Sequence, residues 1–347
     1  MEGSAPASPE VVTCGETMGL LLADDGLPLR RARQFRRTLA GAELNTAVGL
    51  ARLGHRVAYG GRVGDDPFGE DVRATLLAEG IDAAALHVDP DVPTGLLTRD
   101  RDGHRRIRVV YHRAGMAGSR LTADDLAALP IERARLLHLT GITPALSESA
   151  ARATADAAAR ARAAGVPIAF DPNFRARLWS REQALPALRE LAAGATIVLT
   201  SEDEGAWLAG IDAAAAPARD GDASGVRGAP ARDADALAQE IAAWFHARGA
   251  AIVVVKRGAD GAWVSDEGRG GAVPALAVAA VTDPVGAGDA FDAGFLSGWL
   301  DGLDAPAAAR RGAACGAAVV QVAGDLEGLP TRTELEDLLS DTREADR

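Results

Sequence analysis

Several short runs in this chain are apolar along nearly their whole length and stop on a glycine, aspartate, asparagine or serine. VVTCG (11–15), RVAYGGRVG (56–64), RLLHLTG (135–141), PIAFDPN (167–173), TIVLTS (196–201) and AIVVVKRG (251–258) read as strands. A strand with one wet face alternates apolar and polar residues, whereas continuous apolar runs belong to parallel strands covered on both faces. Between the runs the chain turns alanine-rich, and helices are expected over 43–53, 66–79, 148–164, 181–193, 233–248, 287–300 and 305–323. Strands alternating with helices predict an α/β sandwich with its functional loops at the carboxyl ends of the strands. No linker divides the 347 residues cleanly, so one core domain over 11–340 is expected, with 1–10 and 341–347 as tails.

Two stretches break this rhythm. Residues 16–38 and 93–113 contain short β-type segments, TGLLTRD and RRIRVVYH among them, and predict a small accessory sheet, or lid. The basic run RRARQFRR (30–37) is expected to be a solvated face. Residues 213–232, rich in Ala, Gly, Pro and Asp without an apolar period, are expected to be a flexible surface insertion.

A formal net charge of −12 argues against nucleic acid or an anionic membrane as partner, although it leaves room for a local basic pocket. No apolar stretch reaches membrane-spanning length, and MEGSAPASPE has neither the basic nor the apolar part of a signal peptide; a cytoplasmic protein is expected. Cys14 and Cys315 lie far apart in apolar surroundings and are expected to be buried thiols. The six histidines are scattered, without zinc-type spacing, so His112 and His138 are expected to pack or hydrogen-bond.

The usual Gly-x-x-x-x-Gly-Lys-Ser/Thr phosphate loop is absent, but DPVGAGDAF (283–291) places a glycine-rich turn directly before an apolar helix. With the helix starting near Ala287, the amides of Gly286, Ala287 and Gly288 and the positive end of the helix dipole form an anion hole. Asp289, in the first turn, repels an anion unless it has a chemical task. Taking the proton from a hydroxyl that attacks phosphorus is such a task, because phosphoryl transfer needs positioning, charge stabilisation and one group for the proton. On these residues alone, a plain helix start with a stabilising aspartate accounts for the stretch equally well.

The turn has company. DPVGAGDAFDAGF closely resembles the C-terminal signature of the ribokinase-like (phosphofructokinase-B type) sugar kinases, while AGAELNTAVGLARLG (40–54) and GGRVGDDPFGEDV (60–72) resemble their N-terminal one. The resemblance covers residues 11–340. It implies a ribokinase-like three-layer αβα sandwich with a mostly parallel central sheet and a small β-sheet lid, acting as a kinase with ATP and Mg2+. It makes Asp289 the catalytic base, 286–288 the anion hole, and Gly41 and Asn45 contacts to sugar hydroxyls, with helix capping as the plainer reading of Asn45. VKRGADGAW (255–263) resembles the nucleotide-binding strand and loop, which puts Lys256, Gly258 and Gly261 on the cofactor side with Asp283, Gly286 and Gly288. TSEDE (200–204) occupies the place of an Asn-x-x-Glu element that organises magnesium through water; Glu204 matches, and Ser201 replaces the Asn. Pro284 stands where Thr is commoner and stiffens the turn.

The resemblance also bears on the sugar. Ribokinases and fructokinases commonly carry an Asp a few residues past the first strand, where this chain has Gly19 and Leu20. VVYHRAGMAGS (109–119), LHLTGITPALS (137–147), GDLEGLPTRTEL (324–335) and, less selectively, FDPNFRARLW (170–179) are similar to 2-keto-3-deoxygluconate kinases. A planar guanidinium suits the carboxylate of a sugar acid, so Arg113 and Arg175 are its expected partners, with Tyr111 adding a hydroxyl. Pairing with a neighbouring acid (Arg175) and a place on the lid surface (Arg113) are the plainer readings. The expected partners are therefore a small sugar or sugar acid and, since lid edges often pair between subunits, further copies of the chain as a dimer or larger assembly.

Overall fold

Val11 and Val12 are neighbours in sequence and both fully buried, yet they belong to different hydrophobic cores. Successive side chains of a strand point to opposite faces, so a run that is apolar throughout needs a core on each side. The computed structural model, which describes residues 8–100, 107–211 and 233–345, has this arrangement. In chain order its strands begin with β1 (Val11–Cys14), β2 (Met18–Ala23), β3 (Phe35–Ala40), β4 (Val57–Gly64), β5 (Asp82–Asp89), β6 (Gly95–Arg99) and β7 (Val109–His112). They continue with β8 (Leu136–Thr140), β9 (Ile168–Asp171), β10 (Ile197–Ser201), β11 (Ile252–Lys256), β12 (Ala262–Asp266) and β13 (Arg269–Val273). The helices are α1 (Ala42–Arg52), α2 (Pro67–Ala78), α3 (Glu148–Ala164), α4 (Arg181–Ala193), α5 (Glu202–Ala209), α6 (Ala234–His246), α7 (Ala287–Leu300), α8 (Ala305–Val319) and α9 (Arg332–Ala345).

The large sheet runs β13-β12-β11-β10-β9-β8-β1-β4-β5, parallel except for the antiparallel pairs β11/β12 and β12/β13 at one edge. Along β10, Ile197 and Leu199 belong to the core that α1, α7 and α8 cover, while Val198 belongs to the one that α3, α4, α5 and α6 cover. Burying each such side chain is worth roughly 1.5–3 kcal/mol, so the alternation holds both helical layers to one sheet. A second sheet, β3-β2-β6-β7, stands apart with a small apolar face of its own formed by Met18, Leu20, Leu22, Ala40 and Leu97. This is the expected lid, built from the two stretches that broke the βα rhythm.

All six expected strands of the main sheet are present, and the three that were not foreseen lie at its ends: β5 on one edge, and β12 with β13 on the other. β5 reads as an alanine-rich stretch and β13 as a glycine-rich one; each is a strand because a neighbour offers it hydrogen bonds, the situation in which tertiary context overrides propensity. Two helices were also missed. Both start on a capping pattern legible in the sequence: Ser201 with Glu204, and Thr331 with Glu334, exchange side-chain and backbone hydrogen bonds across the first turn. The second carries α9 on to Ala345, beyond the expected boundary at 340, and Glu10 is tied to Arg135 at 3.0 Å rather than hanging in a tail. The 213–232 insertion lies outside the described residues. Cys14 and Cys315 are buried and free. His138 is buried against the Thr13 hydroxyl, 3.1 Å from Nδ1. Among the described residues no helix is long and apolar enough to cross a membrane.

Candidate active site

Five parallel strands deliver their carboxyl ends to one place: β1 leads into Glu16, β8 into Ile142, β9 into Asp171 and Asn173, β10 into Ser201, and β11 into Lys256. These residues line a cavity of about 580 Å3 that the lid strands β6 and β7 cover through Arg99, Val109 and Tyr111. A second cavity, about 670 Å3, lies between the loop after β11, the segment 275–281, and helices α7 and α8. The two share Lys256, Gly258, Pro284 and Gly288, so they meet at the start of α7.

That start is a glycine in the left-handed region. Gly286 is the N-cap of α7 with φ 84° and ψ −10°, a conformation that a Cβ strains, and no side chain caps the helix. The amides of Gly286 and Gly288 have no partner among the described residues, while that of Ala287 makes a long bond of 3.4 Å to the Pro284 carbonyl. Of the three amides expected to receive an anion, those of Gly286 and Gly288 are thus unpaired and that of Ala287 is engaged inside the turn. Unsatisfied amides at the positive end of a fourteen-residue helix attract an anion.

Asp289 lies one residue beyond these amides and is only 9% exposed. Its Oδ2 accepts a hydrogen bond from Asn45 Nδ2 at 2.7 Å, and Oδ1 lies 3.4 Å from Asn173 Nδ2. Burial pushes its carboxyl up to about 7, against the lowering effect of Asn45 and of the Arg175 charge. A carboxyl poised there can exchange a proton with a substrate hydroxyl near neutral pH. Asn45 is not a helix cap: Gly41 is the N-cap of α1, and Asn45 sits in the first turn with its side chain across to α7. Gly41 is glycine because a Cβ there would lie 2.5 Å from the Glu16 carbonyl oxygen.

The three cavity arginines differ. Arg99 is ion-paired to Asp283 and Asp325. Arg113 is buried, not on the lid surface, and is ion-paired to Glu16, whose carboxyl burial raises to about 7 in spite of that pairing. Arg175 donates to the Phe174 carbonyl at 3.3 Å and has no carboxylate partner among the described residues. The Tyr111 ring lies 5.3 Å from the Arg113 guanidinium and 6.0 Å from that of Arg177. Of the expected anion partners, Arg175 and Tyr111 are available and Arg113 is already neutralised.

On the cofactor side Gly258 and Gly261 line the second cavity, with φ 60° and 83°, and Ala313, Gly316 and Ala317 of α8 form its opposite wall. Lys256 lines both cavities, but its ammonium is held between Asp171 (3.0 Å) and Asp292 (2.9 Å). Burial alone would lower the Lys256 pKa; the two carboxylates outweigh it and keep the lysine charged. Asp292 is pushed up by burial and by Asp171, against the lowering effect of Lys256. Glu204 spends both oxygens internally, one on the Phe174 amide (2.6 Å) and one on the Ser201 hydroxyl (2.7 Å), and burial raises its carboxyl. Ser201 is thus the cap of α5. Asp283 is a correction: it is wholly buried, lines neither cavity, and accepts from Arg99 and from the Val285 and Gly324 amides.

Residues that the sequence reading passed over are Glu16, Glu43, Arg99, Asp171, Asn173, Asp292 and Asp325. Asp171 and Asn173 stand in FDPN at the end of a recognised strand, where a loop residue at a carboxyl end is a usable signal. Asn173 is one of two non-glycine residues at positive φ among the described residues, 41°. Glu43 accepts from the Thr140 and Thr143 hydroxyls, both 2.7 Å away, a contact no local pattern announces.

A pfkB family carbohydrate kinase pattern matches residues 8–332. The chain is 36% identical over 335 residues to the 2-dehydro-3-deoxygluconokinase of Bacillus subtilis (strain 168), covering 96% of each chain. Among solved structures it is similar to the PfkB protein from Polaromonas sp. JS666, with 37% identity and a TM-score of 0.80 over 95% of this chain and 99% of that one. It is also similar to the fructokinase from Vibrio cholerae O395 with fructose, ADP and calcium ion bound, with 26% identity and a TM-score of 0.78 over 95% and 99% of the two chains.

Proposed function

The chain belongs to the pfkB family of carbohydrate kinases, and we propose that within it this ATP-dependent sugar kinase phosphorylates the 6-hydroxyl of 2-keto-3-deoxygluconate. The observation that carries the substrate is Arg175, the one cavity guanidinium with no carboxylate partner among the described residues, beside a base. The kinship with the Bacillus enzyme supports it.

Asp289, held by Asn45, takes the proton of the 6-hydroxyl as the hydroxyl oxygen bonds to the γ-phosphorus of ATP and the bond to the bridging oxygen breaks, so that ADP leaves. The Gly286 and Gly288 amides hold the phosphoryl oxygens, and Arg175 with Tyr111 holds the sugar carboxylate. Gly41 and Asn45 flank the polyol. The second cavity suits the adenosine part of ATP: it is lined by Ala, Val and Gly and opens onto the amides of α7. Magnesium, when bound with the nucleotide, neutralises charge on its phosphate oxygens. Asp171 and Glu204 have committed their oxygens to Asn173, Lys256, Phe174 and Ser201, so these residues fit a cation held through water rather than ligated directly. The reading includes a homodimer formed on the lid, supported by the half-exposed Phe35 and Val110 on its edge strands; sedimentation of the purified protein as a monomer removes it.

The test is ADP release with ATP and magnesium across 2-keto-3-deoxygluconate, 2-keto-3-deoxygalactonate, gluconate, fructose and ribose. Strong preference for 2-keto-3-deoxygluconate, lost in Asp289→Asn, is the expected result. A preference for fructose keeps the kinase and overturns the carboxylate reading, an alternative favoured by the Glu16 neutralisation of Arg113.

A further inference from the structure

The lid strand β6 ends on Arg99, which at 1% exposure heads the largest fully buried side chains among the described residues. Its Nη2 donates to Asp283 Oδ2 at 2.8 Å, and Nη1 lies 2.7 Å from Asp325 Oδ1. Asp283 in turn accepts from the Val285 amide through Oδ1 (3.2 Å) and from the Gly324 amide through Oδ2 (3.3 Å). The Asp325 carbonyl oxygen is 3.3 Å from where a Cβ on Gly286 would stand, so the two loops touch at the N-cap of α7. One guanidinium therefore ties three separate pieces of chain together: the lid, the turn 283–286 and the loop 324–325.

Stability alone is a poor reason for such a trio. Desolvating three charged groups offsets most of their attraction, and apolar residues of the same volume often hold a fold equally well. The geometry supplies a better one. Asp283 lies buried in the turn itself and Asp325 lines the lid-side cavity against Gly286, and two carboxylates so close to the turn repel any phosphoryl group brought to it. Arg99 sets a fixed positive charge between them and orients Asp283, which through the Val285 amide fixes the direction of the turn.

We propose that Arg99 is a positioning residue for phosphoryl transfer, locking the 283–288 turn to the lid and offsetting the two carboxylates beside it. This rests on the reading that the turn receives the transferring phosphate, but not on which sugar is the acceptor.

The experiment compares Arg99→Met and Arg99→Lys with the native enzyme, using the sugar that gives the highest turnover. A failure of 2-keto-3-deoxygluconate as substrate then touches only the preceding proposal. Melting, kcat, sugar KM and the ratio of ATP to adenosine affinity are measured together. A turn released from its anchor misplaces the phosphate, and misplacement on the ångström scale costs about 100-fold in rate, so Arg99→Met is expected to lose about that much kcat. Its ATP-to-adenosine affinity ratio drops severalfold, its sugar KM stays within twofold, and Arg99→Lys recovers part of both losses. A folded Arg99→Met with native kcat and a native affinity ratio, merely melting lower, overturns the proposal. Should the Met variant not fold, Arg99→Lys decides: lower kcat and a lower ratio support the anchor, native values for both reject it.

Discussion

The two cavities that meet at α7 are built of opposite materials. The lid-side cavity sets ionisable side chains, among them Glu16, Glu43, Arg113, Arg175 and Asp289, between apolar ones such as Met18, Leu97 and Ile142. The α8-side cavity is lined by Ala, Val, Gly and Leu, with Lys256 at its inner end. A polyol offers hydroxyls and a charge, so its pocket needs side chains aimed in particular directions. A flat aromatic base and a ribose offer area, and small residues that let backbone approach closely serve them. Recognition by individual charges on one side and by shape on the other predicts different sensitivities to mutation.

The largest effect belongs to the junction. Asp289→Asn removes the base while keeping the shape, and kcat should fall by about 10³, within the range of general base catalysis, with sugar and ATP affinities little changed. A variant with half the native kcat would falsify the assignment of the proton to Asp289. Arg175→Ala comes next. Losing a charge-assisted contact should lower kcat/KM for the ketodeoxy acid roughly 10- to 100-fold, leaving a neutral ketose within twofold. Equal losses on both substrates would mean that Arg175 holds the site's structure rather than reading charge.

On the apolar side, Gly316→Leu fills part of the cavity. The KM for ATP should rise about tenfold, with the sugar KM unaltered, because overpacking acts only where the volume is lost. A rise in both would show that the two cavities are not independent. The smallest effect is a shift in pH dependence. The native kcat/KM should climb with pH through about 7, as Asp289 loses its proton. Asn45 donates to the ionised carboxylate and so lowers that value; in Asn45→Ala the inflection should move to higher pH, by less than about one unit. An inflection that stays in place separates Asn45 from the base.

The apolar side was legible only at its inner end, and its wall from α8 and 275–281 was not foreseen. Gly258 and Gly261 stand in a stretch that resembles the family's nucleotide-binding strand and loop, and the turn 286–288 announces itself by glycine next to a helix start. The charged side was legible by residue and not by pairing. Arg113 was expected to face the sugar, while its pairing with Glu16 was not foreseen, because nothing local links position 16 to position 113. Asp283 was assigned to the nucleotide for its place beside the glycine turn, and the structure turns it inward to a lid arginine. The missed helices α5 and α9 were different: their Ser/Thr-x-x-Glu caps were present in the sequence and were passed over.

What the sequence alone determined was whatever local chemistry suffices to specify: the parallel strands, through apolar runs that demand cover on both faces; the helix start at Ala287; and an aspartate in its first turn. What only the tertiary structure decided was which buried charge meets which. Asn45 reaches Asp289 across 244 positions and Arg99 reaches Asp283 across 184. A charged side chain is excluded from a low-dielectric interior unless a partner arrives, and the partner is set by how the layers pack, not by what stands next to it in the chain.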